Sequence, residues 1–303
     1  MNRTHLTAFH AVSEAGSFSK GAERLLVSQP AVSQQVGELE AALGTQLFDR
    51  LPKGVRLTAA GEVLASYARR LAAIEQEAER AMQEVRGLRR GRLAVGASTT
   101  IGAYLLPRLL GEFRRQHPSV ELEVDVANTE SIRRKVTEGQ LDLGLTEGAV
   151  GDETGELESR AFFEDELVAV APPDHPLLKN RRATAKAFCA RPMVMRERGS
   201  GTREVIERAL AGKGLAVEPT LVLASTEAIK ATVAAGVGVA FVSRLAVGLE
   251  QETGRLARVP LADLSIHRPL HLLRLKSKSQ SAATAAFLSL LNERPAPKRG
   301  PKR

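Results

Sequence analysis

The chain has 303 residues, 43% of them apolar and 26% charged, enough for two or three globular domains with cores of their own. Cys189 is the only cysteine, which excludes an internal disulfide and fits a reducing compartment. The net charge of +8 is local: residues 1–91 carry +2, residues 92–267 carry −2 and residues 268–303 carry +8, so overall basicity is no argument for nucleic acid.

The opening segment MNRTHLTAFHAV has no long apolar run and no small-residue cleavage site. No stretch reaches the ~18 apolar residues of a membrane span, so the expectation is a cytoplasmic protein without membrane contact. Leu6, Phe9 and Val12 mark a first helical stripe. Ser17 is the expected N-cap of a second helix with Phe18, Ala22, Leu25 and Leu26 on its apolar face. Ser28 is the expected cap of a third, with Pro30 in its tolerant first turn and Val32, Val36, Leu39 and Leu43 at intervals of 4, 3 and 4. The opposite face shows Gln29, Ser33, Gln34 and Gly37. Two short helices with small hydrogen-bonding side chains at the start of the second describe a helix-turn-helix. Gln can pair with N6 and N7 of adenine, and Ser suits either a base edge or a phosphate.

In LFDRLPKGVRLT, Pro52 and Gly54 separate two short apolar pieces, a pattern for a small β-hairpin wing. Arg50, Lys53 and Arg56 are placed to reach phosphates from it. Thr58 then caps a long helix whose apolar positions are Leu64, Tyr67, Leu71, Ile74, Ala78, Ala81, Val85 and Leu88. Every gap is 3 or 4 in strict alternation, the period of a coiled-coil seam, so the helix should pair with a second copy of itself. A dimer of helix-turn-helix units implies a double-stranded operator with two-fold symmetry.

The segment AVSEAGSFSKGAERLLVSQPAVSQQVGELEAALGTQLFDRLPKGVRLTAAGE closely resembles the DNA-binding domain of LysR-type transcriptional regulators, almost continuously from Leu6 to Glu62. The resemblance implies a winged helix-turn-helix with Ser28, Gln29, Pro30, Ser33 and Gln34 at the DNA, a dimerising linker helix and a homotetramer. It also implies a C-terminal effector domain of two α/β lobes like those of periplasmic binding proteins, crossed twice by the chain. Gly21 stands where the family usually has Ala, at a cost of about 1 kcal/mol in helix propensity, and Gln34 where many members have Arg.

GLRRG (87–91) punctuates the linker as a hinge. Then RLAVGA, IGAYLLPRLLGEFRRQ, VELEVDVA, SIRRKVTEG and LDLGLTEG give βαβαβ, hence a largely parallel sheet. FEDELVAVAP (163–172), residues 193–195, a helix after GSGTR, TLVLAS, TEAIKATVAAGVG, VAFVSR and LARVPL form another α/β round. HRPLHLLRL and AATAAFLSLLN follow, and PAPKRGPKR reads as a disordered tail. The expected architecture is thus α/β, with a winged helix-turn-helix over 1–58 and a linker over 59–91. The expected lobes are 92–161 with 268–293 and 162–267, with a basic tail over 294–303.

Ligands of such sheets gather at strand carboxyl ends and helix N-termini, where free amides and hydroxyls suit a small anion. Four stretches qualify: Ser98, Thr99 and Thr100; Thr146; Arg198, Gly199, Ser200, Gly201 and Thr202; and Ser225 with Thr226. Each alone is an ordinary helix cap; together, at equivalent places in two lobes, they predict an effector cleft. Catalysis is not expected. RGSGTRE lacks the spacing of a phosphate-binding loop, Glu204 replaces the third glycine of a dinucleotide fingerprint, and Ser200 has no evident base. His267 and His271 lie in a Pro-containing strand, so neither a metal nor another cofactor is expected, and Cys189 reads as packing. The alternative is an enzyme on such a domain with a regulatory DNA-binding appendage. It needs a proton-transfer group, for which Glu147 is the one candidate.

Overall fold

The computed structural model describes residues 2–51, 54–85, 91–147, 155–179 and 183–292. One unit is built on residues 1–88 and a second on residues 89–137 and 141–303. Lys53, Leu88, most of the 87–91 hinge and the 294–303 tail lie outside the described residues, as do the side chains of Arg50, Ala81 and Val85.

In the first unit, α1 (Arg3–Ala15), α2 (Phe18–Leu25) and α3 (Gln29–Leu43) close on Leu6, Phe9, Val12, Ala22, Val32, Val36 and Leu39. Gly21 is required by packing: a Cβ there would lie 2.9 Å from Val12 Cγ2 and 3.1 Å from Val12 Cα, so α1 and α2 could not approach as they do. Ser17 and Ser28 occupy the expected N-cap positions, yet neither hydroxyl bonds the helix backbone. At Ser28, Pro30 removes one of the two amides a cap accepts from, and the other, Ala31 N, donates to the Ser28 carbonyl oxygen instead. β1 (Phe48–Arg50) and β2 (Val55–Leu57) pair antiparallel as the wing. Thr58 Oγ1 accepts from Gly61 N at 3.0 Å and opens α4 (Ala59–Val85).

The first turns of α4 pack on the three-helix core through Ala65 and Ala68, with Leu64 partly buried beside them. Leu64 therefore belongs to the domain core rather than to the expected seam. Farther along, Tyr67, Leu71 and Ile74 keep 56%, 43% and 60% of their surface, an uncovered apolar stripe.

The second unit contains β3 (Arg92–Ser98), α5 (Thr99–Tyr104), α6 (Leu106–Gln116), β4 (Glu121–Ala127), α7 (Thr129–Thr137), β5 (Leu143–Glu147) and β6 (Leu157–Ala171). It continues with α8 (Ala185–Cys189), β7 (Val194–Arg196), α9 (Gly201–Ala211), β8 (Leu221–Leu223), α10 (Thr226–Ala234) and β9 (Ala240–Ser243). Then come α11 (Gly248–Glu252), β10 (Ala257–Arg258), β11 (Ile266–Leu275) and α12 (Ala282–Asn292). The single helix expected over 101–116 is two, because Pro107 has no N–H to give an interior turn and is tolerated only in the first turn of α6.

The sheet runs β10-β6-β11-β5-β3-β4, with β9 also on β6. It is mixed rather than largely parallel. β3 pairs parallel with β4 and β5, whereas β11 runs antiparallel to β5 and β6, and β6 antiparallel to β9 and β10. The two long strands β6 and β11 cause this, since each passes from one core to another. One core joins β3, β5 and the far part of β11 to α5, α6 and α12 through Leu93, Leu145, Phe113 and Phe287. Another joins the far part of β6 and β9 to α8 and α9 through Leu167, Phe188, Ile206 and Phe241. Pro269, which cannot donate to a ladder, lies just beyond the β5 pairing at residues 270–273.

Candidate functional site

The helix-turn-helix face is open. Ser28, Gln29, Pro30 and Gln34 are exposed and Ser33 is half-buried at the start of α3. Gln34 Nε2 donates to Glu38 Oε1 at 2.9 Å, a local bond that a base edge can exchange. Arg56 projects from the wing with 72% of its side chain exposed, 3.2 Å from Asp49.

In the second unit the hydroxyl-bearing turns fall at strand ends. β3 stops at Ser98 and β5 near Thr146; these strands pair parallel with Ala97 opposite Leu145, so one more step sets Ser98 beside Thr146. Both are buried, at 1% and 0% exposure, and neither hydroxyl has a hydrogen-bond partner among the described residues. Thr99 Oγ1 is likewise buried and unpartnered, and Thr100 is buried behind it.

From the other core, α9 begins at Ser200, whose buried Oγ caps nothing and has no partner. The turn before it needs glycine. Gly199 has φ +79°, and its carbonyl accepts from Glu130 N at the start of α7. At Gly201 a Cβ would sit 2.3 Å from the Glu147 carbonyl oxygen, so the first turn of α9 rests directly on the end of β5. Ser98 and Thr146 thus adjoin at the ends of neighbouring strands, and Ser200 precedes the residue that packs on the end of β5. Arg198 stays exposed at the rim.

Two residues have firmer local duties than the sequence indicates. Ser225 Oγ accepts from Ala228 N at 3.4 Å, an ordinary helix cap. Thr202 Oγ1 accepts from Arg268 Nη1 at 2.8 Å, which leaves its own proton to be donated elsewhere. Thr99, Ser225 and Thr226 do come together, lining a cavity of about 290 Å³ with Gly102, Ala103, Tyr104, Val126 and Glu227.

Sequence reasoning missed the buried ion cluster behind these turns. Arg268 (β11) and Asp165 (β6) are cross-strand partners; Nε and Nη2 donate to Asp165 Oδ2 at 2.9 and 2.7 Å, and Ser243 Oγ donates to Oδ1 at 2.8 Å. Burial pushes the Asp165 carboxyl above its ordinary 3.8, against the pull of Arg268. Glu147 lies 3.9 Å from Arg268 Nη2 and accepts from Thr129 Oγ1 at 3.3 Å. Only Oε2 is engaged; Oε1, the oxygen nearer Arg268, is buried and has no hydrogen-bond partner among the described residues. The Cys189 thiol is pushed up by burial and then by Asp263, which disfavours the reactive thiolate. Among the described residues there is no group of three or more His, Cys, Asp or Glu able to hold a metal ion. Among them, too, no helix is long and apolar enough to cross a membrane.

Residues 4–62 match the bacterial regulatory helix-turn-helix protein, lysR family, and residues 86–296 match the LysR substrate binding domain. The chain is 36% identical over 282 residues to a RuBisCO operon transcriptional regulator of Allochromatium vinosum, covering 93% of this chain and 92% of that one. It is similar to the regulatory domain of Synechocystis CcmR in complex with 2-PG, with a TM-score of 0.61 and 32% identity over 67% of this chain and 96% of that one. CbnR, a LysR family transcriptional regulator, shares the fold along 96% of this chain and 98% of its own, with a TM-score of 0.68 and 22% identity. With a helix-turn-helix at one end and an effector-binding fold over the rest, the chain belongs to the LysR family of DNA-binding transcriptional regulators.

Proposed function

We propose that this regulator is switched by a small anion held among the hydroxyl-bearing turns of its second unit, with Ser98, Thr99, Thr100, Thr146, Ser200, Gly201 and Thr202 as the primary contacts. One observation carries the reading. Four hydroxyls, on Ser98, Thr99, Thr146 and Ser200, are buried without partners among the described residues, at strand carboxyl ends and helix starts. A buried polar group without a partner costs about 1–3 kcal/mol, a cost that an oxyanion accepting from several of them would offset. Arg198, Gly199, Ser225 and Thr226 form the rim. The lobe boundaries proposed are 92–161 with 268–293 and 162–267, joined by β6 and β11.

The anion shifts the regulator only through its differential affinity for two arrangements of those lobes. Ser33 and Gln34 read bases, while Ser28, Gln29, Pro30, Arg50, Lys53 and Arg56 position the phosphate backbone of a two-fold operator. The exposed stripe of α4 pairs with a second copy, and dimers assemble into a tetramer. The protein works in the cytoplasm and catalyses no reaction; Glu147 is held through Oε2 by Thr129 and lies 3.9 Å from Arg268.

A thermal-shift screen of the full chain against 2-PG, inorganic phosphate, sulfate and small carboxylates tests the reading. An effector at ~100 times its dissociation constant stabilises by ~2.7 kcal/mol, a rise of roughly 5–11 °C at about 2–4 °C per kcal/mol for a domain of this size. A flat response across the panel counts against an anionic effector.

A further inference from the structure

The hydroxyls proposed above are neutral, and Arg198, the one cation among the effector-site residues named from the sequence, is exposed. A buried cation stands close by. Arg196 closes β7 with 2% of its surface accessible, and its Nη1 is buried with no hydrogen-bond partner among the described residues. The other edge of the guanidinium is occupied: Nε and Nη2 donate to the two carboxylate oxygens of Glu197, each at 2.8 Å. The neighbouring Arg203 is committed, with Nε on Glu207 Oε1 and Nη1 on the Arg196 carbonyl.

The position of Arg196 follows from the strand. Val194 packs with Ile229 and Val233 of α10, and Met195 with Ile206 and Leu210 of α9. Alternation returns Arg196 to the α10 side. It pairs with Leu223 at the end of β8, two residues before Ser225, and lies four residues before Ser200. The guanidinium is therefore set at the carboxyl ends of two parallel strands that feed the first turns of α9 and α10, with the unpartnered Ser200 hydroxyl at one of them. Helix starts of this kind carry partial positive charge and free amides.

We propose that Arg196 is the charged anchor of the effector, its Nη1 donating to one oxygen of a phosphate, sulfate or carboxylate held at the first turns of α9 and α10. Glu197 orients the guanidinium and occupies its other edge, so the free edge is the one presented to ligand. This rests on the anion-effector reading above.

The test is calorimetric titration of the full chain with 2-PG and with inorganic phosphate, comparing wild type, Arg196→Met, Arg196→Lys and Glu197→Gln. Loss of a charge-assisted bond to a desolvated oxyanion weakens binding about 10- to 100-fold. Arg196→Met should show that loss, Arg196→Lys a smaller one because the planar fork is gone, and Glu197→Gln no loss or a gain. If Arg196→Met fails to fold, Arg196→Lys still decides, since unchanged affinity there overturns the anchor. Wild-type binding that Arg196→Met and Glu197→Gln weaken equally makes the pair a structural clamp, and overturns this inference alone. A wild type that binds neither probe overturns it together with the reading it rests on.

Discussion

Asp165 and Arg268 face each other across β6 and β11, 103 positions apart in the chain, and form a buried ion pair at 2.7 Å where the two long strands pass from one core to another. The same guanidinium holds Thr202 through Nη1, and the same carboxylate holds Ser243. A rearrangement of these strands must carry the cluster with it or break it.

Removing one partner of a fully buried pair leaves an uncompensated charge, which costs about 3–5 kcal/mol. Arg268→Met should approach that loss, because both Asp165 and Glu147 then stand without their cation. Asp165→Asn should cost less, since Glu147 remains 3.9 Å from the guanidinium. Denaturant unfolding of the two variants checks the order. Equal costs would mean that the cluster is better solvated than its 1% exposures indicate.

A pH series separates the charge from the hydrogen bonds. With its carboxyl raised above 3.8, Asp165 favours folding most while protonated. Its contribution is fully present below about pH 4 and is lost as pH climbs through the raised folded value. The stability of wild type relative to Asp165→Asn should therefore fall from pH 4 upward, as measured by chemical denaturation at several pH values. A rising difference would contradict the desolvated placement.

The α4 stripe predicts a second failure mode. Ile74→Asp, or Leu71→Asp, puts a charge into the proposed seam without a partner and should split dimers in sedimentation measurements. Operator affinity should drop with it, because two half-sites no longer bind as one unit. A variant that stays in the wild-type assembly removes this stripe from the dimer interface.

At the DNA, Ser33→Ala and Gln34→Ala should weaken binding to a selected operator far more than to random duplex. Arg56→Ala should weaken both alike and reduce the salt slope by about one. Competition binding at two salt concentrations distinguishes base reading from backbone contact.

Much of this was legible in the sequence for physical reasons. The 3–4 spacing of Val32, Val36 and Leu39 fixes the buried face of α3, although Leu43 at its end and Leu26 after α2, expected on the apolar faces, are 42% and 93% exposed; the Pro52–Gly54 break marks the wing. Strand order was not legible, because local periodicity says nothing of partners; the reversal of β6 and β11 appears only when both are paired. Yet the ion cluster left a trace. Arg268 has the parity of Ile266, Leu270 and Leu272, and Asp165 that of Phe163 and Leu167, so each strand carries a charge on its apolar face. Opposite charges in those positions on two strands ask for each other. Arg196, with the parity of Val194, is the same signal, a charge on the buried face of a short strand. Gly21 is disfavoured by helix propensity but required by the close approach of Val12, which no local pattern displays.

The sharpest measurement is calorimetric titration of the best-stabilising anion into wild type, Ser200→Ala and Thr146→Val, read beside the melting temperature of each ligand-free protein. Ser200 Oγ and Thr146 Oγ1 have no partner to lose, so both variants should melt at or slightly above the wild-type temperature. Both should nonetheless bind the anion tens-fold more weakly, one lost hydrogen bond to charge apiece at roughly 1.5–3 kcal/mol. Thr202→Val supplies the contrast, since it strands Arg268 Nη1 and should melt lower. Unchanged affinity in Ser200→Ala and Thr146→Val, with a lowered melting temperature, would make these hydroxyls structural and contradict the effector site.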